Sequence, residues 1–258
     1  MPEEGVWINP KGRKVFIPLE NNPEVFTSLI RDLGVSSKLS FYDVYSIDDP
    51  DLLAMVPRPV HALVFITPAP MYWCVRKDDG MVSTKQGDDA YTLPVTYDRS
   101  GDDEPVMWFN QTIGNACGLI ALLHAVANGE PKKFITEGST LDRLLKEAAP
   151  LNPNARADAL YNSEELERAH MKAARTGDSS APGADEANGF HFIAFTRGKD
   201  NHLWELEGGY CDGPLDRGIL PEGADMLSNE ALDQGVRRFI KYANGNLEFS
   251  IIALAESE

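Results

Sequence analysis

Leu119 to Ala127 reads Leu-Ile-Ala-Leu-Leu-His-Ala-Val-Ala, a run without one formal charge. A helix of that composition offers no face to water, so it has to pass through the interior of whatever fold contains it. Asn128-Gly129 closes the run, and Asn110-Gln111-Thr112-Ile113-Gly114-Asn115-Ala116-Cys117-Gly118 leads into it. Asn115 suits an N-cap, which predicts that Cys117 lies in the first turn of the buried helix. Unsatisfied backbone N–H groups and the positive end of the helix dipole are expected to favour the Cys117 thiolate there. The thiolate is the nucleophilic form, and a free cysteine reaches it only near pH ~8.5. A structural cysteine behaves as a small buried hydrophobe. The small residues flanking Cys117 instead suggest room for a substrate backbone.

The chain has 258 residues, 43% hydrophobic and 25% charged, enough to bury a sizeable core in one large domain or two small ones. Met1 to Val15 is polar and charged and lacks an apolar segment of signal-peptide type, and no apolar run approaches a membrane span. Three cysteines, Cys74, Cys117 and Cys211, form an odd, sparse set without zinc-site spacing. A reducing compartment, cytoplasmic or also nuclear, is the expectation. The net charge of −16 argues against nucleic acid as a partner and suits a basic one.

Along the chain, Val15-Phe16-Ile17 predicts a short strand. Asn22-Pro23-Glu24 opens a helix with a cap, a first-position proline and an acid. Phe26, Leu29, Ile30 and Leu33 give that helix its apolar face, and Gly34 ends it. Phe41 to Ile47 is extended, Asp49-Pro50 starts a short helix, and His61 to Ile66 is a buried strand. Met71 to Thr96 reads as irregular, and Asp98 to Pro105 as an acidic loop. Helices are predicted at Leu141 to Ala148, Glu164 to Ala174 and Ala231 to Tyr242, and a last strand at Leu247 to Ala255. Arg175 to Asn188 lacks large apolar residues and is expected to be a mobile loop. Phe190 to Phe195 and His202 to Glu207 form an antiparallel hairpin. Helices mixed with antiparallel strands, without repeats or a clear second domain, give an α+β class.

A cysteine nucleophile needs a base, and the base needs an orienting group. His124 lies about two turns beyond Cys117, too far for direct proton transfer. His61 precedes an apolar strand, His170 sits on a charged helix and His202 at a hairpin turn. His191 alone starts a buried strand among aromatics. The hairpin returns Glu207 beside it, which makes Glu207 the candidate partner of His191 Nδ1. Gln111 is the candidate oxyanion donor, with the Cys117 backbone N–H as the second.

These blocks resemble the ubiquitin C-terminal hydrolases, papain-like cysteine peptidases, over nearly the whole chain. Gln111 to Gly118 is similar to that family's nucleophile motif, His191-Phe192-Ile193-Ala194 to its histidine strand, and Glu205-Leu206-Glu207-Gly208 to its acid motif. Pro18 to Val25, and Asp43-Val44-Tyr45 through Met55 to Val60, add to the resemblance. One departure stands out: the family normally carries Asp where this chain has Glu207, and the hairpin loop is one residue longer. Asp212 and Asp216 are weaker substitutes in the following loop.

The resemblance implies a papain-like α+β fold, a central antiparallel sheet flanked by helices, in a knotted single domain spanning 1–258. It assigns a mobile active-site crossover loop to about 175–189, which favours small or flexible leaving groups. It implies a thiol-dependent deubiquitinase that needs no cofactor or metal, with Cys117, His191, Glu207 and Gln111 as catalytic residues. By the same analogy Leu19, Glu20, Asn21, Asn246, Leu247 and Glu248 contact ubiquitin. Ubiquitin is the expected partner of a monomer that binds neither nucleic acid nor membrane. The alternatives are a catalytically impaired ubiquitin-binding protein on this fold, or a hydrolase of another ubiquitin-like modifier.

Overall fold

The structure is a computed structural model that describes residues 6–81, 95–178 and 189–257. Its first helix, α1 (Pro23–Leu33), shows how closely local chemistry sets an element. Asn22 accepts a hydrogen bond from the Glu24 N–H, and Pro23 holds the first turn. Gly34 ends the helix at φ 98°, where a Cβ would also lie 2.2 Å from that of Ser139. Phe26, Leu29, Ile30 and Leu33 are all buried, as their spacing predicts.

A small hairpin, β1 (Trp7–Ile8) and β2 (Lys14–Val15), precedes α1. The main sheet comprises β3 (Leu39–Asp43), β4 (Val60–Pro68), β5 (Phe190–Arg197), β6 (His202–Leu206), β7 (Leu215–Ile219) and β8 (Ser250–Glu256). Its strand order is β3-β8-β4-β5-β6-β7, and every pairing is antiparallel. The predicted α+β class and helix-flanked antiparallel sheet hold.

Two apolar clusters cover the two faces of this sheet. Ala62, Val64, Phe192, Ala194, Ile252 and Leu254 belong to the first, together with α1 and α4 (Cys117–Val126). Their alternates Leu63, Phe65, Ile193, Phe195, Ile251 and Ala253 belong to the second, under α3 (Ala69–Asp78) and two short helices, α8 (Asn229–Gln234) and α9 (Arg237–Ile240). Burial on both faces explains why β4, β5 and β8 read as unbroken apolar runs although they are antiparallel. Every residue of α4 is buried, as its lack of charge requires. Helices α5 (Thr140–Ala148), α6 (Pro153–Asn162) and α7 (Glu164–Ala174) complete the α4 side, and α2 (Pro50–Leu53) follows its Asp49 cap.

The structure corrects three expectations. The first is the irregular reading of Met71 to Thr96, because Ala69–Asp78 is α3. Its pattern is masked by Arg76, which is buried in ionic contact with Glu205 and not solvated. The rest of that stretch, 82–94, lies outside the described residues. The second is the single helix expected over Ala231 to Tyr242, which breaks at Gly235 into α8 and α9. A Cβ at Gly235 would stand 2.9 Å from the Ala231 carbonyl oxygen and 3.2 Å from the Phe195 ring. The third concerns elements absent from the sequence reading, α6 and β7. The first is capped by Asn152 but has no clear apolar stripe, and the second is a polar edge strand. The crossover loop falls largely outside the described residues, since 179–188 are not among them.

Candidate active site

The loop that carries Cys117 is stitched to the N-terminal hairpin. Gly114 N–H donates to the Lys14 carbonyl at 2.9 Å, and Phe16 N–H donates to the Gly114 carbonyl at 2.9 Å. A Cβ at Gly114 would meet Val15 at 2.9 Å, so the glycine permits this close approach. Asn115 then adopts a left-handed φ of 58°, which asparagine tolerates, and turns the chain into α4. Asn115 is therefore not the cap that the sequence suggested. Ala116 holds that position without a side-chain bond, and Cys117 is the first helical residue. Gly118 also differs from expectation: a Cβ there would lie 3.1 Å from that of Leu19 and 3.5 Å from the Phe192 ring. The space over Gly118 itself is taken by Leu19 and Phe192.

Burial pushes the Cys117 thiol up to about 11, although the backbone N–H groups of Phe192, Gly118 and Cys117 itself pull it down; the Glu207 charge adds to the rise. The helix terminus therefore faces the sulfur as predicted, but desolvation outweighs it and the thiol stays protonated at neutral pH. The Phe192 N–H belongs to the peptide that joins His191 to Phe192, so this influence on the thiol comes from beside the histidine's backbone.

The other four histidines are engaged elsewhere. His61 pairs with Glu256 at 3.1 Å and His202 with Asp216 at 2.8 Å. His170 is buried against Phe16 and the Ile17 carbonyl, and burial lowers it to about 4. His124 Nε2 accepts from the Phe109 N–H at 2.9 Å, and burial lowers it to about 3. Asp216 is thus committed to His202, and Asp212 accepts from Thr96 N–H at 2.7 Å, which leaves neither to replace Glu207.

His191 is the second residue of β5, opposite Thr67, buried, with its ring against Tyr72 and Tyr210. Ala194 pairs with Leu206, so the hairpin returns the chain beside it as predicted. Glu207 Oε1 reaches His191 at 2.6 Å, but the nitrogen is Nε2, not the expected Nδ1. The oxygen lies off the N–H axis, so the nitrogen makes no straight hydrogen bond in this arrangement. Burial alone would push the Glu207 carboxyl up. The His191 charge and the N–H groups of Tyr210 and Gly209 overcome that and hold it well below the usual carboxylate range. Cys211 N–H donates to it at 2.9 Å and the Tyr72 hydroxyl at 3.2 Å. The additional methylene of glutamate is absorbed by folding the carboxylate back onto its own loop, residues 209–211.

Gln111 is buried, and its Nε2 donates to the Ile113 carbonyl at 3.0 Å. Its backbone N–H donates to the Gly208 carbonyl at 2.9 Å, which ties the cysteine loop to the acid loop. Trp108 Nε1 adds a bond of 3.0 Å to the Glu207 carbonyl. Of the stretches assigned to ubiquitin contact, Leu19 is buried over Gly118 and presents no free face. Asn21 Nδ2 bonds Ser250 Oγ at 2.8 Å, so Glu20 and Asn21 adjoin the turn of Asn246, Leu247 and Glu248, where Leu247 is 84% exposed. Sequence reasoning missed Tyr72 and Tyr210, the rings around His191. Neither stands in a motif, and only folding brings Tyr72 to the acid loop.

Residues 16–241 match the family described as ubiquitin carboxyl-terminal hydrolase, family 1. The chain is 30% identical over 248 residues to ubiquitin carboxyl-terminal hydrolase YUH1 of Saccharomyces cerevisiae, covering 93% of this chain and 96% of that one. It is 32% identical over 241 residues to isozyme L1 of Macaca fascicularis, covering 93% and 98%. The fold is similar to that of the Trichinella spiralis UCH37 catalytic domain, solved bound to ubiquitin vinyl methyl ester. That TM-score is 0.68, with 21% identity and coverage of 94% and 95%. The chain belongs to the ubiquitin carboxyl-terminal hydrolase family 1.

Proposed function

We propose that this protein is a thiol-dependent deubiquitinase, which hydrolyses small or flexible adducts from the C-terminal glycine of ubiquitin through a Cys117 thioester. The observation that carries this is the buried His191–Glu207 pair at 2.6 Å, with His191 next in sequence to Phe192, whose N–H pulls the buried Cys117 thiol down. Glu207 occupies Nε2, which leaves His191 Nδ1 to serve the sulfur. Burial disfavours a standing thiolate, so His191 takes the thiol proton as the substrate carbonyl arrives. A sulfur–carbon bond forms, and the carbonyl electron pair moves to oxygen, where Gln111 Nε2 and the Cys117 N–H receive it. The tetrahedral adduct collapses to the thioester and the leaving amine departs with the proton from His191. Water then attacks; His191 takes its proton and returns it to the departing sulfur.

One domain over 1–258 carries this activity as a monomer in a reducing compartment. The odd, sparse set of three cysteines in the sequence fits that setting. The preference for small leaving groups rests on the crossover loop that the family resemblance assigns to about 175–189. The exposed turn of Asn246, Leu247 and Glu248, beside Glu20 and Asn21, is the ubiquitin-facing surface.

The test is turnover of a fluorogenic amide on the ubiquitin C-terminus. The wild-type protein is expected to release the fluorophore, and Cys117→Ala to bind ubiquitin without releasing it. Absence of wild-type turnover despite tight ubiquitin binding would replace the proposal with a binding role.

A further inference from the structure

Tyr72 lies on α3, on the sheet face opposite α4, with 1% of its surface exposed. It touches both members of the base–acid pair at once. Its ring stands edge-on to the His191 imidazole, centroids 4.8 Å apart at 65°. Its hydroxyl donates to Glu207 Oε2 at 3.2 Å. The hydroxyl also lies 3.5 Å from Cys211 Sγ, to which Arg76 Nη1 donates at 3.4 Å. Arg76 in turn covers the Tyr72 ring, 4.9 Å from its centroid, and is held in ionic contact with Glu205 of β6. Arg217 fixes the same Glu205 from β7, at 2.7 Å.

These contacts have one direction. Burial and the neighbouring Glu207 charge push the Tyr72 hydroxyl well above its ordinary range, so it remains a proton donor. Burial likewise pushes the Cys211 thiol up to about 12, so its S–H can donate to the Tyr72 oxygen. Arginine, thiol and phenol therefore line up as successive donors that end on the Glu207 carboxylate, which accepts.

We propose that Tyr72 is a positioning residue that holds Glu207 and His191 in register, and that it does so because the acid is a glutamate. A longer side chain has one more rotatable bond to fix. The loop N–H groups at 209–211 fix the carboxylate from its own segment, and Tyr72 fixes it from α3 while bracing the imidazole. The inference rests on the hydrolase activity proposed above.

The experiment is a double-mutant cycle read by steady-state kinetics on the ubiquitin C-terminal amide. Tyr72→Phe keeps the ring and removes the donor. It is expected to lower kcat roughly tenfold, the size of one hydrogen bond to a charged group, with KM within about twofold. Glu207→Asp withdraws the carboxylate by about 1.5 Å, one carbon–carbon bond, beyond the hydroxyl's reach. In that background Tyr72→Phe is expected to change kcat less than about twofold. A packing role alone predicts the same loss in both backgrounds. Equal losses, or a Tyr72→Phe kcat within about twofold of wild type, overturn the proposal. Should Tyr72→Phe fail to fold, fluorotyrosine at position 72 keeps the shape and sharpens the donor. kcat should then vary with phenol acidity, and an unchanged kcat overturns the proposal. An inactive wild-type protein would instead strike the hydrolase activity itself.

Discussion

Glu207 is a buried acid that accepts hydrogen bonds from its own loop and from α3 and lies 2.6 Å from His191 of β5. Replacing it with Gln keeps the shape but turns an N–H₂ toward backbone N–H groups that need acceptors. Glu207→Gln is expected to lower kcat by about 10²–10⁴ while KM moves little, because the loss falls on imidazole orientation and charge. Kinetics on the ubiquitin amide check this; a kcat within tenfold of wild type would mean that another group orients His191. His124 and His170 make a second prediction at this scale. Both are buried neutral, at about 3 and about 4, against an ordinary 6.5. Their contribution to stability is full above 6.5 and is lost as pH falls toward the folded-state values, because the unfolded chain binds those protons first. Between pH 7 and pH 5 the loss should be on the order of 1–2 kcal/mol per histidine. Urea unfolding at the two pH values measures it, and His170→Phe should remove part of the slope. The choice of His191 was legible from sequence because it alone stands at the start of an apolar strand between two phenylalanines. The raised Cys117 thiol was not, since burial is decided by the surrounding clusters and not by the helix that carries the sulfur.

At the scale of elements, the site is a junction between the start of α4, the start of β5 and the end of β6. Gly208 is its tightest point. A Cβ there would stand 2.6 Å from the Phe109 carbonyl oxygen and 3.1 Å from the Gln111 nitrogen. Gly208→Ala must push the acid loop away from the cysteine loop, with a cost of about 1–3 kcal/mol as for other overpacked sites. Thermal unfolding should register the loss, and kcat should fall with it because Gln111 and Glu207 move apart. Unchanged kinetics would show that the two loops need not be in register. Elements with strong end signals were legible: α1, α2 and α7 each have a capping side chain, and the β5–β6 hairpin has its turn residues. α3 was not legible, because its buried Arg76 looks like a surface residue until Glu205 is placed beside it. At Gly235 the closest obstacle to a Cβ is local, the Ala231 carbonyl oxygen at 2.9 Å, and Phe195 of a distant strand follows at 3.2 Å. For α3 the missing information is a tertiary neighbour, which no local pattern carries.

Across the whole molecule, the sheet is covered on both faces, and the chain has a net charge of −16. Such a field should draw in a basic partner from solution and fade as the screening length shrinks below ~10 Å at 0.1 M salt. Raising salt from about 0.05 to 0.5 M is expected to lower kcat/KM for the ubiquitin amide roughly three- to tenfold with kcat unchanged. Stopped-flow association rates separate the two quantities, and a flat salt profile would remove steering from the account. The overall class was legible from the alternation of helix and strand signals. The strand order was not, because β8 pairs with both β3 and β4, far earlier in the chain. That order has a consequence for synthesis. The ribosome delivers β3 and β4 long before β8 emerges, so a nascent chain carries two bare strand edges and an open seam through the centre of its sheet. A product halted before Ser250 cannot close that seam, and its exposed edges make it a substrate for chaperones and quality control before it can become an enzyme.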